Sequence, residues 1–366
     1  MAKILFVTTT IDRGGAETLL LNAVEALKEE HEIHVLFFKG QGTLLPQFRS
    51  IGIEPQRFGP RTLLSTLRLL RHDRDCIIQG WMYHGNLLAS LLYLLSCRCG
   101  KLFWAVHHSA DAYASGSAMA QIRLKVTALF SRLPQKTVYV SQHIRDEHIS
   151  YGYCSKNTAV IHNGIDPEEF SPDPESGQKL RLELGISEND VVLGAVGRNH
   201  PIKDYKTFFR AVTRLLPNNT NLHVIIVGRD LTLAGFANQL SALNDAELRR
   251  IHLLGERNDV PQILAAMDIY ALSSLSESFS LSLIEALATL HCCVSTDVIF
   301  FRHLFPSALR SFPPHDAQGM AKQVQYYLDM PSSQRTRLGE EARAIVQQNF
   351  SLEAMLLRYK TLWELS

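Results

Sequence analysis

Two carboxylates, Glu277 and Glu285, stand with seven residues between them in the stretch Ser273-Ser-Leu-Ser-Glu-Ser-Phe-Ser-Leu-Ser-Leu-Ile-Glu-Ala-Leu-Ala-Thr-Leu290. The apolar run Asp268-Ile-Tyr-Ala-Leu272 before them reads as a strand, and Leu281, Ile284, Leu287 and Ala288 fall on one helical stripe. Glu277 is therefore predicted in a strand-to-helix loop and Glu285 in the first turns of the helix, where backbone amides and the positive dipole end can hold phosphate. The same residues fit a plainer reading, because Ser282-Leu-Ile-Glu285 has capping-box spacing and Glu285 then only returns to the cap amide.

Two cations follow another predicted strand, in Gly197-Arg-Asn-His-Pro-Ile-Lys-Asp204. Arg198 and Lys203 can share one diphosphate, the guanidinium as a planar fork and the ammonium as a point charge. Taken alone, two solvated surface cations are the commoner case. Gly14-Gly15, after the first predicted strand, either lets the backbone approach a ligand or makes a plain turn with Glu17 against the following helix dipole. His107 and His108 close a further apolar run. Successive strand residues face opposite sides, so one histidine can meet a substrate hydroxyl while the other points into the core, although a structural histidine is commoner. Gly194-Ala-Val-Gly197 lacks the spacing of a dinucleotide-binding fingerprint.

These groups sit just after β-rich runs that alternate with helical patterns, the signature of parallel sheets with crossover helices. Strands are predicted at 3–9, 32–38, 75–79, 101–107, 136–141 and 158–162, then at 191–197, 222–228, 250–255, 268–272 and 291–296. An amphipathic helix is predicted at 16–30. The two prolines and the glycine in Phe170-Ser-Pro-Asp-Pro-Glu-Ser-Gly177 place a linker there. The expected architecture is α/β, two doubly wound, Rossmann-like domains over residues 1–170 and 171–349, with a terminal helix at 350–366 packing back on the first. In such pairs a ligand is expected in the inter-domain cleft, over the carboxyl ends of the strands.

Composition bounds the function. Apolar residues make up 46% and charged residues 20%, ordinary globular usage, and 366 residues exceed one common core. Lysine plus arginine (37) nearly balances aspartate plus glutamate (36), so no global field points to nucleic acid. Six cysteines without a CxxC pair suggest reduced thiols in a cytosolic protein, and the apolar start at Met1 is too short for a secretory signal. The run Leu87-Leu-Ala-Ser-Leu-Leu-Tyr-Leu-Leu95 is too short to span a bilayer and reads as a buried helix. Arg61-Thr-Leu-Leu-Ser-Thr-Leu-Arg-Leu-Leu-Arg71 forms a basic amphipathic helix, suited to an anionic membrane surface or to a core with a solvated face.

With these residues and the connector Asn163-Gly-Ile-Asp-Pro-Glu-Glu-Phe170 in view, the chain resembles the retaining GT-B glycosyltransferases of family 4 over nearly its whole length. Glu277-x7-Glu285 looks like the two-glutamate signature of that family, and Val196-Gly-Arg198 to Lys203 like its phosphate loop. The resemblance implies that Glu285 binds the ribose of a nucleotide sugar, and that Glu277, with Phe279, Ser280 and Leu281, addresses the donor. It implies that Arg198 and Lys203 hold the diphosphate, that Gly14 and Gly15 approach the reaction centre, and that His107 rather than His108 contacts the sugar. No cofactor and no obligatory metal are implied.

The expected activity is transfer of a hexose or N-acetylhexosamine from a nucleoside diphosphate sugar, UDP favoured and GDP possible, to a glycan or lipid-linked glycan in bacterial cell-surface polysaccharide biosynthesis. The expected location is cytoplasmic, with peripheral membrane contact. A GT-B nucleotide-sugar epimerase and an inactive nucleotide-sugar-binding protein are the alternatives. Two departures from the family pattern stand out: serines flank Phe279, and Ile299-Phe-Phe-Arg302 replaces the usual glycines and glutamate beneath the donor.

Overall fold

The computed structural model of the chain describes residues 1–114 and 117–365. It divides into two compact units, Met1–Gly164 with Leu352–Ser366, and Ile165–Ser351.

In the first unit the strands are β1 (Lys3–Thr8), β2 (Glu32–Phe37), β3 (Gln56–Arg57), β4 (Ile77–Trp81), β5 (Lys101–Val106), β6 (Lys136–Tyr139) and β7 (Thr158–Val160). They pair in the order β3-β2-β1-β4-β5-β6-β7, parallel throughout. Runs such as Ile4-Leu-Phe-Val7 are buried without alternation, as a sheet covered on both faces requires. The terminal helix Leu352–Leu362 is part of this unit: Met355, Leu356, Tyr359 and the following Trp363 lie in its core, and the Trp363 indole donates to Gln79 Oε1 at 3.1 Å. Ser366 lies outside the described residues.

The second unit contains β8 (Val191–Val196), β9 (Leu222–Val227), β10 (Ile251–Leu253), β11 (Ile269–Leu272), β12 (Cys292–Thr296) and β13 (Leu309–Phe312). Their order is β10-β9-β8-β11-β12-β13, again all parallel. In each sheet the winding direction reverses once, between β1 and β4 and between β8 and β11. Ligands of such sheets bind outside the carboxyl ends of the strands at that reversal.

The linker expected around residues 170–177 is folded instead. Pro174 opens the helix Pro174–Glu183, with the Asp173 carboxylate accepting the Ser176 amide at 3.1 Å. Proline suits a first helical position, where its missing N–H has no partner to lose. Gly177 lies inside that helix because a Cβ there would strike the Ala265 carbonyl. The boundary falls instead at Gly164, and the Arg343 guanidinium binds the carbonyls of Pro167 and Phe170 at 2.8 Å each, tying the connector to the second unit.

Candidate functional site

The second unit builds a loop pair at the carboxyl ends of β8 and β11. Beyond β8 the ladder to β9 continues, with the Gly197 and Asn199 amides donating to the carbonyls of Val227 and Arg229 at 2.8 Å each. The backbones come so close that a side chain at Gly228 would overlap the Gly197 carbonyl. A turn at Pro201–Lys203 then meets the helix Tyr205–Leu215, capped by Asp204 in the left-handed conformation, φ 43°. The Asp204 carboxylate accepts from Thr207 Oγ1 at 2.6 Å and lies 3.0 Å from His315 Nδ1.

The two loops are fastened together. Ser273 Oγ donates to the Lys203 carbonyl and the Leu275 amide to the Ile202 carbonyl, both at 2.7 Å. From behind, Thr296 Oγ1 donates to the Ser274 carbonyl at 2.6 Å. This framework sets Lys203 Nζ 2.7 Å from Glu277 Oε1, and the same oxygen accepts the Ser274 hydroxyl at 2.6 Å. The pair is mostly buried, with side-chain exposures of 22% for Lys203 and 12% for Glu277. Arg198 is exposed and, among the described residues, has no ion pair or side-chain hydrogen bond, leaving it the open cation of the two.

Glu285 does not close a capping box. The helix begins one residue before Ser282, over Leu281–Ala288, and its N-cap is Ser280 in the left-handed conformation, φ 63°, without a side-chain cap bond. Among the described residues the Ser280 hydroxyl is buried without a partner, and no side-chain cap covers the first-turn amides, Leu281 among them. Burial raises the Glu285 carboxyl to about 7, with Glu169 adding to the rise and Lys203 opposing it. The group thus titrates near neutrality within the field of the Lys203 cation.

Phe279 is not placed to touch a donor through its ring. It is 2% exposed and packs against Phe301, Phe350 and Phe300 at centroid distances of 5.6, 5.8 and 6.1 Å. The unusual Ile299-Phe-Phe segment supplies two of those rings, so Phe279 and this departure are partners in one aromatic cluster beneath the loop.

The first unit carries its own set at its reversal point. Gly14 caps the helix Gly15–Leu27, and the Glu17 carboxyl folds back into the space a Gly14 side chain would take. Burial raises the Glu17 carboxyl, its own amide opposing and Asp12 contributing. Against its burial, Asp12 is held below the usual carboxylate range by backbone N–H groups of Thr43, Gln41 and Gly42, which moor the glycine turn to the loop after β2.

His107 is buried against Trp81, ring centroids 4.3 Å apart, while His108 is exposed. Burial pulls the His107 imidazole down to about 3, His108 adding and Asn163 opposing, and neither ring nitrogen has a hydrogen-bond partner of good geometry. His107 is therefore a neutral hydrogen-bonding group at physiological pH. The Trp81 indole also donates to the Ala16 carbonyl at 2.9 Å, linking the histidine to the glycine turn.

Sequence reasoning missed Trp81, Asp12, Asp204, Ser273 and Ser274. Asp204-x-x-Thr207 is an N-cap signal that reading the loop as a cation carrier obscured. Ser274 pairs with Glu277 three residues on, within the same loop, whereas Trp81, Asp12 and Ser273 leave no local signal, since their partners lie on other segments. Asp73 and Asp75 have metal-binding spacing but precede β4, at the amino end of the strand. Among the described residues no group of three or more His, Cys, Asp or Glu is placed to hold a metal ion.

Comparison with known proteins follows the same division. Residues 13–169 match the family model Glycosyltransferase Family 4, and residues 177–345 match Glycosyl transferases group 1. The chain has the make-up of a GT-B glycosyltransferase.

Relatives of this GT-B chain include the UDP-Gal:alpha-D-GlcNAc-diphosphoundecaprenol alpha-1,3-galactosyltransferase of Escherichia coli, 36% identical over 37% of this chain and only 36% of that protein's length. The putative glycosyltransferase EpsF of Bacillus subtilis is 25% identical over 81% of this chain and 79% of its own. The O-antigen biosynthesis glycosyltransferase WclY of Escherichia coli is 19% identical over 99% and 98%. Among solved structures, Anabaena HepE in complex with UDP and glucose superimposes with a TM-score of 0.83, at 21% identity over 100% of both chains. At that identity the likeness shows the GT-B fold. Every site residue of the second unit, from Arg198 to Glu285, lies within the stretch matched by the group 1 model.

Proposed function

We propose that the chain is a retaining glycosyltransferase that moves a hexose or N-acetylhexosamine from a nucleoside diphosphate sugar, a UDP-sugar by preference, to a glycan or lipid-linked glycan. The observation that carries this reading is the assembly of Arg198, Lys203 and Glu277 on two fastened loops at the reversal point between β8 and β11, with Glu285 on the helix that follows the second loop. Relatives whose names specify UDP-Gal, diphosphoundecaprenol and O-antigen biosynthesis support the donor and acceptor classes, and the UDP complexes of HepE support the nucleotide.

In this mechanism the donor diphosphate rests against Arg198, Lys203 and the first-turn amides of the helix Leu281–Ala288, and Glu285 accepts from the ribose hydroxyls. As the bond from the anomeric carbon to the phosphate oxygen breaks, negative charge grows on the diphosphate, where preorganised cations act most strongly. The acceptor hydroxyl attacks from the same face, and the departing phosphate oxygen takes its proton. Glu277 orients Lys203 and addresses the sugar without acting as a nucleophile, in contrast to a retaining glycosidase. Neutral His107 offers a hydrogen bond to the sugar. Neither metal nor cofactor is part of the proposal.

Thermal shift with UDP, GDP and their sugars, followed by transfer of labelled sugar to a diphosphoprenol-linked glycan, tests the reading. Stabilisation by a nucleoside diphosphate and acceptor-dependent product are expected. Sugar isomerisation without acceptor, or binding without turnover, would replace transfer by epimerase or binding-protein function.

The Glu285 carboxyl gives a further test. Only its ionised form accepts from both ribose hydroxyls, and its value near 7 makes that form the minority below neutrality. UDP affinity is therefore expected to rise with pH through about 7 and to level off above it. Glu285→Gln retains only the ligand's own titration, so the ratio of wild-type to variant affinity should grow by up to about tenfold per pH unit as pH rises toward 7 and level off above it. A ratio constant from pH 5.5 to 8.5, measured by calorimetry, would remove Glu285 from the ribose.

A further inference from the structure

A groove of about 510 Å³ opens on the second unit beside the loop that carries Arg198 and Lys203, and neither these cations nor Glu277 and Glu285 line it. Both fastened loops contribute to its walls, Asn199 and His200 from the first and Leu275 from the second. The helix Tyr205–Leu215 supplies a further wall. Tyr205 and Phe236, each 5% exposed, form an aromatic floor. A volume of this order suits a small molecule.

The polar groups around the groove are donors. Lys206 and Arg210 both line it and stand one turn apart on the helix, exposed. Among the described residues neither has an ion pair or a side-chain hydrogen bond. Like charges at that spacing repel each other, and they stay unpaired although the chain holds nearly as many carboxylates (36) as lysines and arginines (37). His200 Nδ1 accepts the Ile202 amide at 3.3 Å, which leaves the ring proton on Nε2 as another donor. Among the described residues Asp204 is the only carboxylate lining the groove, and it is turned away from this task. It is 9% exposed, and its oxygens accept from the Thr207 amide and hydroxyl and from His315 Nδ1. The positive end of the helix dipole lies on the same side as Lys206. A concave surface with two uncompensated cations, an imidazole donor and a satisfied carboxylate is built for an anion, and sugar transfer from the donor uses none of these groups.

We propose that this groove is a second phosphate site, separate from the donor diphosphate. The phosphate lies between Arg210 and Lys206, the guanidinium as a fork and the ammonium as a point charge, with His200 Nε2 donating to it. A sugar carrying that phosphate would cover Leu275 and the aromatic floor. Calorimetric titration of the full chain with inorganic phosphate and with glucose 6-phosphate tests the site and separates the two sources of the group. Saturable binding is expected, tighter by about tenfold or more for glucose 6-phosphate where the sugar is recognised, and equal for the two probes where the phosphate alone is. The double substitution Lys206→Gln, Arg210→Gln changes exposed side chains only and should weaken this binding at least tenfold with an unchanged melting temperature. Arg198→Ala, which opens the donor site instead, should leave it within twofold. Absence of saturable binding by both probes, or undiminished binding by the double variant, would overturn the proposal. So would a tenfold loss on Arg198→Ala, which would assign the bound phosphate to the donor site.

Discussion

Lys203→Ala is expected to lower kcat about 10²–10³-fold, the effect of deleting one preorganised donor at a growing negative charge. The ammonium reaches its position through constraints that survive the substitution. Its carbonyl is held by Ser273 Oγ, the preceding carbonyl by the Leu275 amide, and the following residue by its own cap. The loop should therefore keep its course while the charge is lost. What remains is the Glu277 carboxylate with the Ser274 hydroxyl as its hydrogen-bond partner, an added negative charge beside the diphosphate. Loss of turnover should accordingly exceed loss of donor affinity, and the melting temperature should change little. Lys203→Arg restores charge without the point geometry and is expected to recover only part of the rate. Steady-state kinetics with saturating donor decide the matter, and a kcat within twofold of wild type would show that the diphosphate is held elsewhere.

Phe279→Ala is expected to act in the opposite way, removing about 3–5 kcal/mol of stability. The ring sits among Phe300, Phe301 and Phe350, and its loss opens a cavity that three neighbouring rings cannot fill without leaving their own contacts. For a unit of this size the melting temperature should fall by on the order of 10 °C. Below that transition, donor affinity should stay within a few fold of wild type, because the side chain lies under the loop. A variant that melts normally but fails to bind donor would return Phe279 to the site and remove it from the cluster.

Much of this was legible in the residues. Apolar runs of four to six, closed by small or charged residues, mark β1, β5, β8 and β11 because a parallel sheet buries both faces of each strand. β3 and β13 left no such trace: the first has two exposed residues, and the second is only four residues long, with polar Arg310 and Ser311 at its centre. Arg198, Lys203, Glu277 and Glu285 were visible as chemistry because each follows a predicted strand. Their mutual arrangement was not, since an ion pair between positions 74 residues apart depends on which strands become neighbours. The surroundings of Phe279 were hidden for a related reason. The resemblance placed it beside Glu277 toward the donor, and only the fold reveals that Phe300, Phe301 and Phe350 pack around its ring. The capping-box reading of Ser282 and Glu285 failed by two residues, because the left-handed turn at Ser280 starts the helix early.

The order in which the chain leaves the ribosome conflicts with the order of its cores. The second unit is contiguous in sequence, but the first is interrupted by it and regains Met355, Tyr359 and Trp363 only from the final residues. Until Trp363 emerges, Phe6 has only the Trp81 ring edge-on to it and not the second, and Gln79 lacks the indole that satisfies its oxygen. The half of the protein made first is thus completed last, so vectorial synthesis favours an unfinished amino-terminal sheet waiting on a carboxy-terminal clasp.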